Sequence, residues 1–250
     1  MSSNGLVKRD GAPTGADHLQ PQILPLKDPS VRLVVLQVFK SDITPDLGAH
    51  LQALLNDVIQ EGRKYAEEFE RSLEEFYRFF FSHNCFLGIF DDVDSPLQIQ
   101  YKDPFPETGL EASQTLSLKD IARGRPWAEA IAGLFSVRPN YPGRSSHNCN
   151  GSFIVNPRFR GAGVGLSLGR AYLHFAPLLG YRASVFNSVF ANNYASVKTW
   201  DRLGFKRVGL VTCAGRLKTE DGKGEEYVDA IIFWKDLTGG KENGGIDQVQ

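Results

Sequence analysis

The chain has 250 residues, 28 Lys+Arg against 29 Asp+Glu for a formal charge of −1, and 42% hydrophobic and 11% aromatic residues, an ordinary globular composition long enough to bury a core without covalent staples. A near-zero balance with no block of like charges excludes capture of nucleic acid by bulk electrostatics, and no window reaches the ~18 to 20 continuous apolar residues of a membrane-spanning helix. Cys85, Cys149 and Cys213 are far apart and without CxxC spacing, which excludes a disulfide framework and a thiolate zinc site; no metal is expected, and a reducing compartment fits.

Residues 1–29 read as a mobile arm. No apolar h-region follows Lys8 and Arg9, and Asp10 and Asp17 argue against a transit peptide, so a cytoplasmic location is expected, with a mitochondrial or nuclear pool left open. Residues 31–40 are β-branched and apolar, a strand. Thr44 before Pro45 starts a helix whose Leu47, Leu51, Leu54, Leu55 and Val58 share a face, with a break at Gly62. A second helix is expected over 65–82, its stripe of Phe69, Leu73, Phe76, Tyr77 and Phe80 facing the core.

Residues 85–90 read as a strand, and 91–125, rich in Asp, Pro, Ser and Gly, as a surface insertion with at most one short helix. Strands at 128–138 and 146–155, a helix at 162–179, a strand at 182–190, a helix at 194–203 and strands at 206–211 and 227–234 follow. The tail 238–250 is too polar and Gly-rich to order itself. The pattern predicts one α/β domain over 30–237, built on a mixed sheet.

The sharpest local feature is Arg160-Gly161-Ala162-Gly163-Val164-Gly165, between the strand end Phe153-Ile154-Val155 and a helix with Val164, Leu168, Ala171, Tyr172 and Phe175 on one face. A glycine turn that opens a helix offers unpaired N–H groups and the positive end of the helix dipole, which suits a pyrophosphate, and Arg160 adds a charge; it equally suits close packing of the helix on the sheet. A P-loop is excluded because Leu166-Ser167 supplies no Lys. Gly163, Gly165 and Gly169 make a poor dinucleotide fingerprint, since the next strand carries no acidic residue for a ribose.

The remaining pattern is Arg-x-x-Gly-x-Gly between strand and helix, then Asn193, Trp200 and Gly204-Phe205. It resembles the GNAT superfamily of acetyl-CoA-dependent N-acetyltransferases. The segments SHNCN, YLHFAPLLGY, VFNSVF and ASVKTWDRLGFKRVGLV are similar to the fungal proline-analogue acetyltransferases that act on L-azetidine-2-carboxylate, strongly over 137–237 and faintly over 45–82. The resemblance implies an α/β (α+β) GNAT fold, a mixed sheet with splayed strands and helices on both faces, and a homodimer. It implies acetyl-CoA held at Phe153, Ile154, Val155, Arg160, Gly161, Ala162, Gly163, Val164, Gly165 and Asn193. A backbone N–H near Val155 would polarise the thioester carbonyl, a donor typically worth ~3 to 4 kcal/mol in a transition state.

Strand parity groups Ser146, Asn148, Asn150 and Ser152 on one face, and Asn187 with Ala183, Val185 and Val189 on another. An amide among apolar neighbours needs a partner, structural or substrate; the resemblance assigns Asn150 and Asn187 to a small amino-acid substrate and Asn193 to acetyl-CoA or the reacting centre. Amides suit a zwitterion, whose carboxylate and ring nitrogen they bind without net charge. His147 faces away from Asn150 by parity and is a weak base candidate, Cys149 reads as a small buried hydrophobe rather than a nucleophile, and Trp200 stands where many GNAT enzymes carry an acidic tyrosine. Deprotonation through water is expected.

Overall fold

In the computed structural model, which describes residues 19–92, 106–112 and 117–239, the chain runs through β1 (Gln22–Pro25), β2 (Val31–Val38), α1 (Pro45–Glu61), α2 (Leu73–Phe80), β3 (Asn84–Asp92), β4 (Leu110–Glu111), α3 (Leu118–Ala122) and α4 (Trp127–Ala130). It continues through β5 (Ile131–Pro139), β6 (Asn148–Asn150), β7 (Phe153–Val155), α5 (Val164–Leu178), β8 (Ala183–Phe190), α6 (Tyr194–Arg202), β9 (Lys206–Lys218) and β10 (Glu225–Asp236). The strands form one mixed sheet in the order β4-β1-β2-β3-β5-β6-β8-β10-β9, with β7 paired to β5 beside this path. Among the described residues only β6 and β8 pair in parallel.

Both sheet faces are covered, which is why β2 reads as a continuous apolar run and not an alternation. Its Val34, Leu36 and Val38 join Leu51, Leu55 and Val58 of α1 and Phe76 and Phe80 of α2 in one core. Leu33 and Val35 join Leu168, Tyr172 and Phe175 of α5 and Trp200 of α6 in the other. The mixed α/β sheet is as the residues predicted and the helices on both faces are as the resemblance implied, and α1 is as predicted, with Thr44 at its N-cap and Gly62 ending it at φ +66°.

Five expectations are corrected. Part of the expected arm is structure: Gln22–Pro25 pairs with both β2 and β4, and Ser167 Oγ donates to Pro25 O at 2.7 Å; residues 1–18 lie outside the described residues. The second helix begins at Leu73, because Ser72 accepts from Glu75 N–H and Glu75 from Ser72 N–H in a reciprocal cap; Phe69 is therefore off the helix and 80% exposed. The strand at 128–138 starts at Ile131, after a single helical turn. The insertion contributes β4 and α3 in its described parts, while 93–105 and 113–116 lie outside them. Residues 219–224 close a long hairpin between β9 and β10.

The fifth correction positions the site. The expected single strand over 146–155 is two strands, β6 and β7, broken at Gly151-Ser152, and Ser146 ends a 3-10 turn instead. β6 pairs with β8 through only Asn148↔Ala183 and Cys149↔Ser184; β7 then follows β5 (Phe135↔Phe153, Gly133↔Val155) and leaves β8 behind. A Cβ at Gly151 would stand 2.7 Å from Ser136 O and 2.9 Å from the Tyr172 ring. Gly151→Ala is therefore expected to lower Tm by about 3 to 10 °C in a thermal melt, the cost of overpacking a site whose nearest neighbour is backbone.

Candidate active site

Where β7 parts from β8 a cleft of about 800 Å³ opens, lined by both strands, the turn before α5, the start of α6 and the segment between α1 and α2. The edge of β7 that faces β8 has no strand partner among the described residues, so its amides are available to a guest.

At one end, Gly161, Gly163, Val164 and Gly165 line the cleft together with Arg160. Gly161 and Gly163 lie at φ +85° and +93°, and nothing stands within 4 Å of a Cβ built on Gly161. Ser167 N–H is the first of the helix to be taken up, by Gly163 O, which leaves the N–H groups of Gly163 through Leu166 without a helical partner. Ala162 does not line the cleft: its carbonyl accepts from Lys27 N–H at 3.3 Å, and its side chain packs on the core. Arg160 is not free, because its Nη2 donates to Glu61 Oε1 at 2.5 Å while Lys64 bonds the other Glu61 oxygen. Burial alone would raise the Glu61 carboxyl, but hydrogen bonds from Lys64 and Arg160 outweigh it and hold the group below its usual range. With Lys27 also lining the cleft, this end holds three cations and one carboxylate, a field fit for a polyphosphate.

At the other end three asparagines meet. Asn187 Nδ2 donates to Asn140 Oδ1 at 2.7 Å and Asn140 Nδ2 returns a bond to Asn187 Oδ1 at 3.1 Å; Asn150 Nδ2 also donates to Asn140 Oδ1, at 3.0 Å. Tyr141 OH donates to Asn187 Oδ1, and Gly151 N–H to Asn150 Oδ1. The Asn140 and Asn187 oxygens thus each take two donors, which fills their lone pairs, while every amide keeps an N–H over. Asn187 does not sit among apolar neighbours as parity implied. A register irregularity in the β8–β10 ladder falls between Phe186 and Val189, and both Asn187 and Ser188 are exposed on the cleft.

Beside these amides stand residues that the sequence did not single out. Tyr65 OH donates to Phe153 O at 3.2 Å, and burial pushes its phenol well above the usual range, so it stays neutral. Arg138, opposite Asn150 in register, bonds Ser152 Oγ at 3.4 Å and lies over the Phe79 ring at 4.7 Å. Glu67 lines the cleft and is ion-paired to Arg71 at 2.9 Å. Tyr65 and Glu67 reach the cleft because the residues before Ser72 are not helical, a fact hidden by the helical spacing of the aromatics.

The remaining candidates fall as follows. Asn193 lines the cleft as the N-cap of α6, its Oδ1 accepting from Ser196 N–H at 3.3 Å, which leaves its Nδ2 to donate. Phe153, Ile154 and Val155 line the cleft; the Ile154 side chain itself is core. His147 is exposed and bonded to Arg144 O, outside the cleft, and Cys149 is buried against Tyr172 OH at 3.0 Å. Trp200 packs edge-on to Phe153 and Phe205; its indole has no role as an acid. No group of His, Cys, Asp or Glu suited to a metal occurs among the described residues.

Residues 89–205 match the family described as Acetyltransferase (GNAT) family. N-acetyltransferase aca1 of Schizosaccharomyces pombe is 48% identical over 122 residues, 48% of this chain and 56% of that protein. Protein SPT10 of Saccharomyces cerevisiae is 28% identical over 238 residues, 88% of this chain and 36% of that one; the chain thus spans about half or less of these relatives' lengths. Among solved structures, a GCN5-related N-acetyltransferase from Kribbella flavida superimposes with a TM-score of 0.58 at 22% identity, covering 82% of this chain and 97% of that one. A phosphinothricin acetyltransferase of the GNAT superfamily from Sinorhizobium meliloti, in complex with acetyl-CoA, gives 0.56 at 13% identity, with 82% and 88% covered. The likeness establishes the GNAT fold.

Proposed function

We propose that this chain, which has the GNAT fold and matches the GNAT acetyltransferases over residues 89–205, is an acetyl-CoA-dependent N-acetyltransferase acting on the secondary amine of a small proline-like amino acid. The site has the features such a co-substrate needs: orphan N–H groups at Gly163 to Gly165, glycines that leave this wall bare of side chains, nearby cations and, among the described residues, an unpaired strand edge for pantetheine. Acetyl-CoA supplies the activated thioester. The β7 edge near Val155 donates to its carbonyl oxygen, where negative charge develops as the amine attacks. Asn193 Nδ2 is the remaining donor at the start of α6.

The observation that carries the choice of acceptor is the asparagine cluster, whose oxygens at Asn140 and Asn187 are filled and whose three amides each keep an N–H to donate. Such a surface takes an anionic group such as a carboxylate and holds the amine in place, which lowers the entropic part of the barrier. Water takes the amine proton, since no imidazole lines the cleft among the described residues. Thiol release with L-azetidine-2-carboxylate, putrescine and a lysine peptide tests the reading: turnover of the first is expected. Activity confined to the other two overturns the acceptor class, and acetyl-CoA binding without turnover of any amine indicates a binding module.

A further inference from the structure

The acceptor end of the cleft holds more cation than anion. Arg138 is half-buried, and its only hydrogen bond among the described residues is the long one to Ser152 Oγ. Among the described residues no carboxylate lies within ion-pair distance of it, and Glu67, whose charge it feels, is ion-paired to Arg71. Arg71 also lies over the Phe79 ring, at 4.5 Å, so two guanidiniums and one carboxylate meet around this aromatic. Burial depresses the Arg138 guanidinium below its usual range, and the Arg71 charge adds to this, while Tyr65 and the Glu67 carboxylate oppose it without cancelling it. A planar fork of donors pinned against a ring and turned into a cleft is the usual device for binding a carboxylate at two points. Arg138 is five residues along β5 from Gly133, which faces Val155, a span of roughly 17 Å at the rise of a strand, and the phosphate-binding turn follows Val155 at the far side from this cation.

Resting on the acetyltransferase reading above, we propose that Arg138 anchors the acceptor's carboxylate and makes the enzyme select small anionic or zwitterionic amines over polycationic ones. The spare N–H groups of Asn150 and Asn187 complete the carboxylate's hydrogen bonds, and the net positive charge of two guanidiniums against one carboxylate repels a diamine or lysine tail. The anchoring also sets the acceptor's direction, carboxylate toward Phe79 and ring nitrogen toward the parting of β7 and β8.

The test compares L-azetidine-2-carboxylate with azetidine, which keeps the ring amine and lacks the acid. In steady-state kinetics on the full chain, Arg138→Gln is expected to lower kcat/KM for the acid by about 30- to 100-fold, to leave that for azetidine unchanged, and to leave KM for acetyl-CoA unchanged; Arg138→Lys restores part of the loss. Equal losses on both acceptors overturn the anchor in favour of a structural role. Wild-type turnover of azetidine as fast as of the acid overturns the anchor and leaves acetyl transfer standing. Turnover of putrescine alone overturns both the anchor and the proline-like acceptor.

Discussion

Gly163→Val is expected to abolish measurable acetyl-CoA binding in calorimetry while the protein still folds. Gly163 is the N-cap of α5 at φ +93° and ψ −1°, a region closed to β-branched side chains. Space is not the obstacle: a Cβ there would touch only Lys27 Cγ, at 3.4 Å. The obstacle is conformational, so the turn must rotate to relieve it, and rotation re-aims the N–H groups of Gly163, Val164 and Gly165 together. Each bond from such a group to a charged oxygen contributes about 1.5 to 3 kcal/mol, so losing two weakens binding by about 10² to 10⁴-fold. Gly163→Ala meets a penalty of only ~1–2 kcal/mol and should bind more weakly without losing the site. Normal binding by the valine variant would remove this turn from the proposed cofactor site.

That turn was legible in the sequence because its signal is local: glycines at fixed spacing, an apolar strand end before them and an amphipathic helix after. The α1 boundaries were legible for the same reason, with Pro45 and Gly62 each acting on its own backbone and Thr44 holding the N-cap position without a side-chain bond. What failed depended on partners distant in sequence. Gln22–Pro25 is a strand only because β2 and β4 flank it, and nothing in QILP distinguishes it from an arm. The aromatic spacing from Phe69 onward is helical, yet the Ser72–Glu75 cap outbids it and frees Tyr65 and Glu67 for the cleft. Parity placed Asn187 with Val185 and Val189, and a register irregularity with β10 undoes that alternation. Arg138 was invisible as a site residue because a lone arginine at a strand end carries no signal until Phe79 and Asn150 are seen beside it.

The same cluster sets the other large effect. Asn187→Ala is expected to lower kcat/KM for L-azetidine-2-carboxylate by about 10²-fold, within the range for losing a bond to a charged group, with KM for acetyl-CoA unchanged. Asn140→Ala should cost less, about 10-fold, because Asn140 acts through its neighbours: its Oδ1 holds both Asn150 Nδ2 and Asn187 Nδ2, and without it the two amides can turn to water at this half-exposed edge. The two losses should not add. Once Asn187 is alanine, Asn140 has only Asn150 left to orient, so the double variant should fall little below Asn187→Ala alone, a coupling that a double-mutant cycle reads directly. Strict additivity would mean that Asn140 contacts the acceptor by itself. Thermal stability is the control: all three variants should melt close to wild type, since Asn187 is exposed and Asn140 and Asn150 are half-buried, and a large drop in Tm would assign the cluster to the fold instead of the acceptor.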